Sequence, residues 1–113
     1  MSGITTHILD TSRGRPAAGV PATLEVEAAG GWKLLGKGTT NSDGRITDLT
    51  SKDTELTAGV YRLIFDTGRY FAGQQTDAFY PQVTIVFRIE DPAQHYHVPL
   101  LLSPFGYSTY RGS

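Results

Sequence analysis

Cysteine is missing from all 113 residues, so the chain has no disulfide, no thiolate nucleophile and no cysteine-based zinc or iron–sulfur site. That absence suits a reducing compartment. Charge of one sign is also lacking. Ten basic and 11 acidic residues leave a formal net charge of −1, and no run of Lys or Arg offers a footprint to nucleic acid or an anionic lipid surface. The opening MSGITTHILD has no basic segment leading into a long apolar one, and no later stretch has the length to span a bilayer. A Gly-rich phosphate loop, a dinucleotide fingerprint and a Gly-x-Ser-x-Gly elbow are absent too. The expectation is a cytoplasmic protein with no cofactor, no nucleic-acid partner and no membrane attachment.

What the sequence does contain is alternation. A single domain over residues 1–113 is expected, and a 12.3 kDa chain buries about two-thirds of its extended surface on folding, enough for an ordinary core. Ile4 to Asp10 reads as a strand with Ile4, Thr6 and Ile8 on one face and Thr5, His7 and Leu9 on the other. Both faces are partly apolar, which predicts that a second sheet or a second subunit covers the His7 side. Ala22 to Ala28 alternates as a half-buried strand and turns at Gly30-Gly31 into a return strand, Trp32 to Thr40. Within that strand, Gly36 and Gly38 mark a bulge or a close backbone approach.

Further on, Asn41-Ser42-Asp43-Gly44 is a turn that delivers Arg45 to the start of a short strand, RITDL. Val60 to Thr67 and Gln82 to Glu90 are further strands, separated by a short helix predicted over Arg69 to Gln75. His95 to Leu102 and Phe105 to Tyr110 form a final pair joined by Ser103-Pro104. The pattern predicts an all-β sandwich of two packed antiparallel sheets, with seven or eight strands and one short helix.

Three histidines carry whatever chemistry the chain has. His95 and His97 stand two residues apart, so an extended backbone puts both imidazoles on one face, about 6 to 7 Å apart. The spacing alone leaves two readings open. His7, His95 and His97 form a possible zinc set; alternatively, His7 and one of the pair perform metal-free acid and base chemistry, with Arg45 facing an oxyanion or ring carbonyl.

Three stretches narrow the choice. ITTHILDTSRGRPAAGVPATLEV closely resembles the start of the transthyretin-like family, the internal NSDGRITDL fits the same pattern, and YHVPLLLSPFGYSTYRGS resembles the ending of the family's enzymatic branch, the 5-hydroxyisourate hydrolases. The last four residues, Tyr110-Arg111-Gly112-Ser113, separate that branch from the hormone-carrying transthyretins.

The resemblance implies a transthyretin-like sandwich assembled as a homotetramer, with sites in the channel where two dimers meet. It implies hydrolysis of 5-hydroxyisourate to 2-oxo-4-hydroxy-4-carboxy-5-ureidoimidazoline in the urate-to-allantoin pathway, with neither metal nor cofactor. His7, Arg45 and His97 fall on the catalytic positions, and Tyr110 and Ser113 on positions that shape the polar substrate. His95 lies outside the matched pattern. A non-catalytic small-ligand carrier of transthyretin type and a zinc-dependent cyclic amidase are the alternatives.

Overall fold

Period-two alternation of apolar side chains gives strands that each have one face to bury, and two sheets bury those faces against each other. The computed structural model describes residues 3–50 and 54–112. In chain order these form β1 (Gly3–Asp10), β2 (Arg15–Pro16), β3 (Pro21–Ala28), β4 (Gly31–Thr39), β5 (Arg45–Ile46), β6 (Gly59–Phe65), α1 (Thr67–Ala72), β7 (Val83–Ile89), β8 (His95–Ser103) and β9 (Gly106–Thr109). One sheet runs β2-β1-β8-β9, with β5 beside β1; the other runs β4-β3-β6-β7. Ile4 and Ile8 of β1 meet Leu100 and Leu102 of β8 on the inner face of the first sheet. Leu24, Leu63, Phe65, Val83 and Ile89 line the second, and all of these side chains are buried.

The sheets are not both antiparallel. β1 and β8 run parallel over eight register pairs, from Gly3 opposite His95 to Asp10 opposite Leu102. The physical reason is connectivity: the whole second sheet is built between these two strands, so no hairpin dictates their relative direction. RITDL is also shorter as a strand than expected, pairing with β1 only through Arg45 and Ile46. The chain leaves the sheet after Ile46, and Leu49 is buried beneath β4.

Gly36 is what permits that crossing, because a Cβ there would lie 1.8 Å from the Leu49 carbonyl oxygen. A bulge sits beside it, where Leu24 pairs with Gly36 and Glu25 with Leu34, leaving Leu35 unmatched. The helix begins at Thr67, two residues before the expected Arg69, because the Asp66 carboxylate accepts the Arg69 N–H at 3.2 Å and caps it. It ends at Ala72, ahead of the expected Gln75.

Asp10 ties the helix to the first sheet. Its side chain is buried, and the Tyr70 hydroxyl donates to Oδ2 at 2.7 Å while the Ser12 hydroxyl donates to Oδ1 at 2.6 Å. Burial opposes the charged carboxylate. The donors outweigh it: the hydroxyls of Ser12 and Tyr70 and the backbone N–H groups of Arg13 and Ser12 hold its pKa below the ordinary carboxylate value. On Tyr70, burial and the bond to Asp10 push the phenol pKa up. Because the native Asp10 pKa is depressed, its contribution to stability is whole above about pH 3.9 and is lost as pH falls through the native value. Tyr70→Phe is expected to cost about 1–3 kcal/mol near pH 7, and the cost should shrink as pH falls through the native Asp10 pKa, since a protonated Asp10 accepts only a neutral hydrogen bond. Urea unfolding of both proteins at one protein concentration, near pH 7 and at a series of values descending below about pH 3.9, checks this; a cost that stays the same across the whole series would remove Asp10 from the account.

Candidate active site

The outer face of the first sheet collects the polar side chains. Alternation along β1 turns Thr5 and His7 away from the core, and both are half-buried. Antiparallel pairing sets Arg45 of β5 directly opposite His7, and opposed residues in a sheet share a face. On the other side of β1, the parallel register sets His97 of β8 opposite Thr5, one pleat along from His7. Three strands that lie apart in sequence thus converge on one patch, and His7, Arg45 and His97 are brought together.

Arg45 owes its position to the preceding turn. Asn41 Oδ1 accepts the N–H groups of Asp43 at 2.9 Å and Arg45 at 3.1 Å, and the Asn41 N–H donates to the Arg45 carbonyl at 3.0 Å. Gly44 closes the turn with φ +76°, and its carbonyl accepts the Ile8 N–H at 2.7 Å. A side chain there would be strained by its backbone angle, and its Cβ would sit 2.4 Å from the Ile8 carbonyl oxygen. Glycine is therefore what lets the turn lie flat on β1 and carry Arg45 to His7.

His97 is held on two sides. Its Nδ1 lies 2.8 Å from Thr5 Oγ1, and that same hydroxyl lies 2.9 Å from Nε2 of His95. The C-terminal segment turns back over the ring: the Gly112 N–H donates to the His97 carbonyl at 2.8 Å, and a Cβ on Gly112 would come within 2.6 Å of His97 Cδ2. Burial lowers the His97 pKa, as do the Arg45 guanidinium, His7 and His95, while a hydrogen bond at Thr5 acts in the opposite direction. The imidazole is consequently neutral at pH 7, with a lone pair available to take a proton.

Tyr110 lies elsewhere. It is exposed and lines a cavity between the sheets with Ile85, Phe87, Tyr96 and Val98, on the opposite side of β8 from the imidazoles. Arg111 shares that cavity, its guanidinium 4.4 Å from the centre of the Tyr96 ring and donating to Gln94 Oε1 at 2.9 Å. Ser113 lies outside the described residues.

Thr5 and Gly112 are the contributors that residue chemistry alone did not single out. Alternation did put Thr5 on the His7 face. Its pairing with His97 required the parallel register, which sequence spacing does not carry.

Among the described residues, no three of His, Cys, Asp and Glu group so as to hold a metal ion. The charge at hand is cationic, and a guanidinium beside His97 disfavours a second cation there. What the arrangement can do is accept and return protons through His97 and His7 while Arg45 neutralises a developing negative oxygen. The His97 resonances should titrate with a midpoint below about 6.5, and Arg45→Met should raise that midpoint without fully restoring it, since burial remains. Proton NMR of the imidazole CH signals measures both; an unchanged midpoint in Arg45→Met would exclude the guanidinium as a cause.

Comparison with known proteins gives the chain its relatives. Residues 4–112 match the HIUase/Transthyretin family. The 5-hydroxyisourate hydrolase of Salmonella typhimurium is 47% identical over 110 residues, covering 97% of this chain and 80% of that protein. Among solved structures, the 5-hydroxyisourate hydrolase of Klebsiella pneumoniae superposes with a TM-score of 0.85 at 40% identity, covering 97% of this chain and 98% of the other. Sea bream transthyretin in complex with thyroxine superposes with a TM-score of 0.90 at 35% identity, covering 96% and 93%. The chain belongs to the HIUase/Transthyretin family.

Proposed function

We propose that this chain is a 5-hydroxyisourate hydrolase, opening the ring of 5-hydroxyisourate to 2-oxo-4-hydroxy-4-carboxy-5-ureidoimidazoline in the degradation of urate toward allantoin. The observation that carries the reading is the meeting of a neutral, hydrogen-bonded His97 with His7 and Arg45 on one sheet face. Ring opening of a cyclic amide needs a base for water, a cation for the oxygen that becomes negative, and an acid for the departing nitrogen. His7 and His97 share the base and acid roles, and Arg45 holds the carbonyl and the carboxylate that emerges from it. Water supplies its hydroxyl to the carbonyl carbon and its proton to the nitrogen, so no metal or cofactor is needed. Ser113 is assigned to the substrate. Tyr110 is assigned there too, though its own chain directs it toward the cavity between the sheets.

The protein is proposed to act as a single domain in a cytoplasmic homotetramer. Support comes from the exposed Phe79, Phe105, Tyr107 and Val86, and from β7 and β9, which close the ends of their sheets without a further strand among the described residues. A carrier role on the same fold is favoured by the likeness to thyroxine-bound transthyretin. It is disfavoured by the patch itself, because an apolar ligand gains nothing from two imidazoles and a guanidinium that it must desolvate.

Freshly generated 5-hydroxyisourate, followed by ultraviolet absorbance and circular dichroism after treatment of the protein with chelator, is expected to decay faster than in buffer and to give a product of one hand. Decay no faster than the uncatalysed reaction would leave the carrier reading, and loss of activity on chelation would leave the zinc one. Arg45→Lys should lower kcat by on the order of tenfold or more, because an ammonium lacks the planar fork that binds two oxygens at once. Activity near that of the unaltered protein would refute the clamp.

A further inference from the structure

Thr5 stands between two imidazoles. Its Oγ1 is 2.8 Å from Nδ1 of His97 and 2.9 Å from Nε2 of His95. A hydroxyl owns one proton and two lone pairs, so it donates to at most one of the two rings. Two arrangements make it a bridge, donor to one ring and acceptor from the other. In the first, His97 Nδ1–H donates to Oγ1 and Oγ1–H donates to His95 Nε2, which leaves Nε2 of His97 bare as a base. In the second, both bonds reverse: His95 Nε2–H donates to Oγ1, Oγ1–H donates to His97 Nδ1, and His97 carries its proton on Nε2 as an acid.

We infer that Thr5 is a positioning residue that ties the tautomer of His97 to the protonation of His95 and passes a proton between them. The inference rests on the hydrolase reading for its kinetic consequences, though not for the coupling itself. When His97 takes a proton from water on Nε2, it becomes an imidazolium. Its Nδ1 proton then moves to Oγ1 while the Oγ1 proton moves to Nε2 of His95. His97 is left neutral with Nε2–H, and His95 holds the charge with a proton on each nitrogen. As Nε2 returns its proton to the departing nitrogen, the Oγ1 proton moves back to Nδ1 and the His95 Nε2 proton moves back to Oγ1, so both rings end neutral and Nε2 of His97 is bare again. Protons and charge balance, and Thr5 ends as it began, a neutral hydroxyl.

The surroundings set the direction. His97 is half-buried, with the Arg45 guanidinium and His7 acting on it from β5 and β1. His95 is exposed, where water solvates the cation. Arg111, from the C-terminal segment, is turned to Tyr96 and Gln94. Moving the positive charge two residues along β8 to an exposed ring therefore relieves repulsion at the reacting face, and the return of the two protons resets the base. His95, which lay outside the matched family pattern, gains a role as the outer end of the relay.

Thr5→Val keeps the shape and removes the hydroxyl, whereas Thr5→Ser keeps the hydroxyl. The expected result is a loss in kcat of about ten- to a hundredfold for Thr5→Val with KM within about twofold, and near-normal kcat for Thr5→Ser, the scale typical of losing an orienting hydrogen bond. Long-range proton–nitrogen correlation spectra of the unmodified protein should show His97 moving to the Nε2–H tautomer as His95 protonates, a coupling that Thr5→Val abolishes. A His97 tautomer indifferent to His95, or Thr5→Val with kcat within about twofold of the parent, overturns the inference. The spectra of the unmodified protein decide it even if Thr5→Val fails to fold. Should the unmodified protein not turn over 5-hydroxyisourate, the hydrolase reading falls and the spectra still decide the coupling.

Discussion

The parallel pairing of β1 with β8 is the constraint on which everything else depends. It joins the two ends of the described chain along eight register pairs, and it does so with both faces in use. Inward, Ile4 and Ile8 share the core with Leu100 and Leu102, and the Thr6 hydroxyl donates to the Val98 carbonyl at 2.6 Å. Outward, Thr5 meets His97. A slip of one residue along either strand would turn that strand's apolar set to the outside and its polar set into the core, which the buried faces forbid. The core therefore fixes the register, and the register fixes the site. The same alternation that buries the leucines aims the imidazoles.

The two faces handle charge in opposite ways. On the inner side Asp10 keeps its carboxylate ionised although buried, since four donors from Ser12, Tyr70 and Arg13 surround it. On the outer side the charged neighbours acting on His97 are all cationic or potentially so, and each lowers its affinity for a proton. A histidine meant as a structural hydrogen-bond donor gains from a carboxylate partner. One that must stay neutral and then give up any proton it takes is better served by Arg45 and a second imidazole. The same cationic surplus suits a substrate whose oxygen becomes anionic during reaction, so the field that tunes His97 is also the one the proposed hydrolysis calls for.

How much of this was legible in the sequence follows from which features are local. The division of the strands into faces was: separating Ile4, Thr6 and Ile8 from Thr5, His7 and Leu9 needed only period two, whereas which of these partly apolar faces is buried did not follow from it. Ile4, Thr6 and Ile8 prove to be the buried set, as do Tyr61, Leu63 and Phe65 on β6. The turn at Asn41 to Gly44 was local too, because Asn and Gly each have a short-range reason to be there. Gly36 was marked for a bulge or a close approach, and it serves both. The direction of β8 relative to β1, the early end of RITDL and the fold-back of Gly112 over His97 depend on partners far along the chain, and no local pattern encodes them. Family resemblance supplied His7, Arg45 and His97 as a set. It passed over His95, whose link to them runs through a threonine that any strand could hold.

A fold that superposes on a thyroxine-bound transthyretin at least as well as on a hydrolase cannot itself specify turnover. The specification lies in what the strands present outward. Core side chains are bound to their volumes, since truncating a buried leucine costs about 2–5 kcal/mol. Residues on the outer face of β1, β5 and β8 carry little of that burden and can be exchanged with the scaffold intact. Two side chains on this face do carry a backbone condition: Arg45 needs the left-handed Gly44 before it, and His97 needs Gly112 above it. Both glycines leave space that another residue would fill, and they lie beside the site rather than under the core, Gly44 in a turn and Gly112 in a bridge to His97. Segments so restricted suit the proposed hydrolysis, which asks that Arg45 and His97 be held to the tolerance of a reaction, and they would be an unnecessary restriction on a chain that only encloses an apolar ligand.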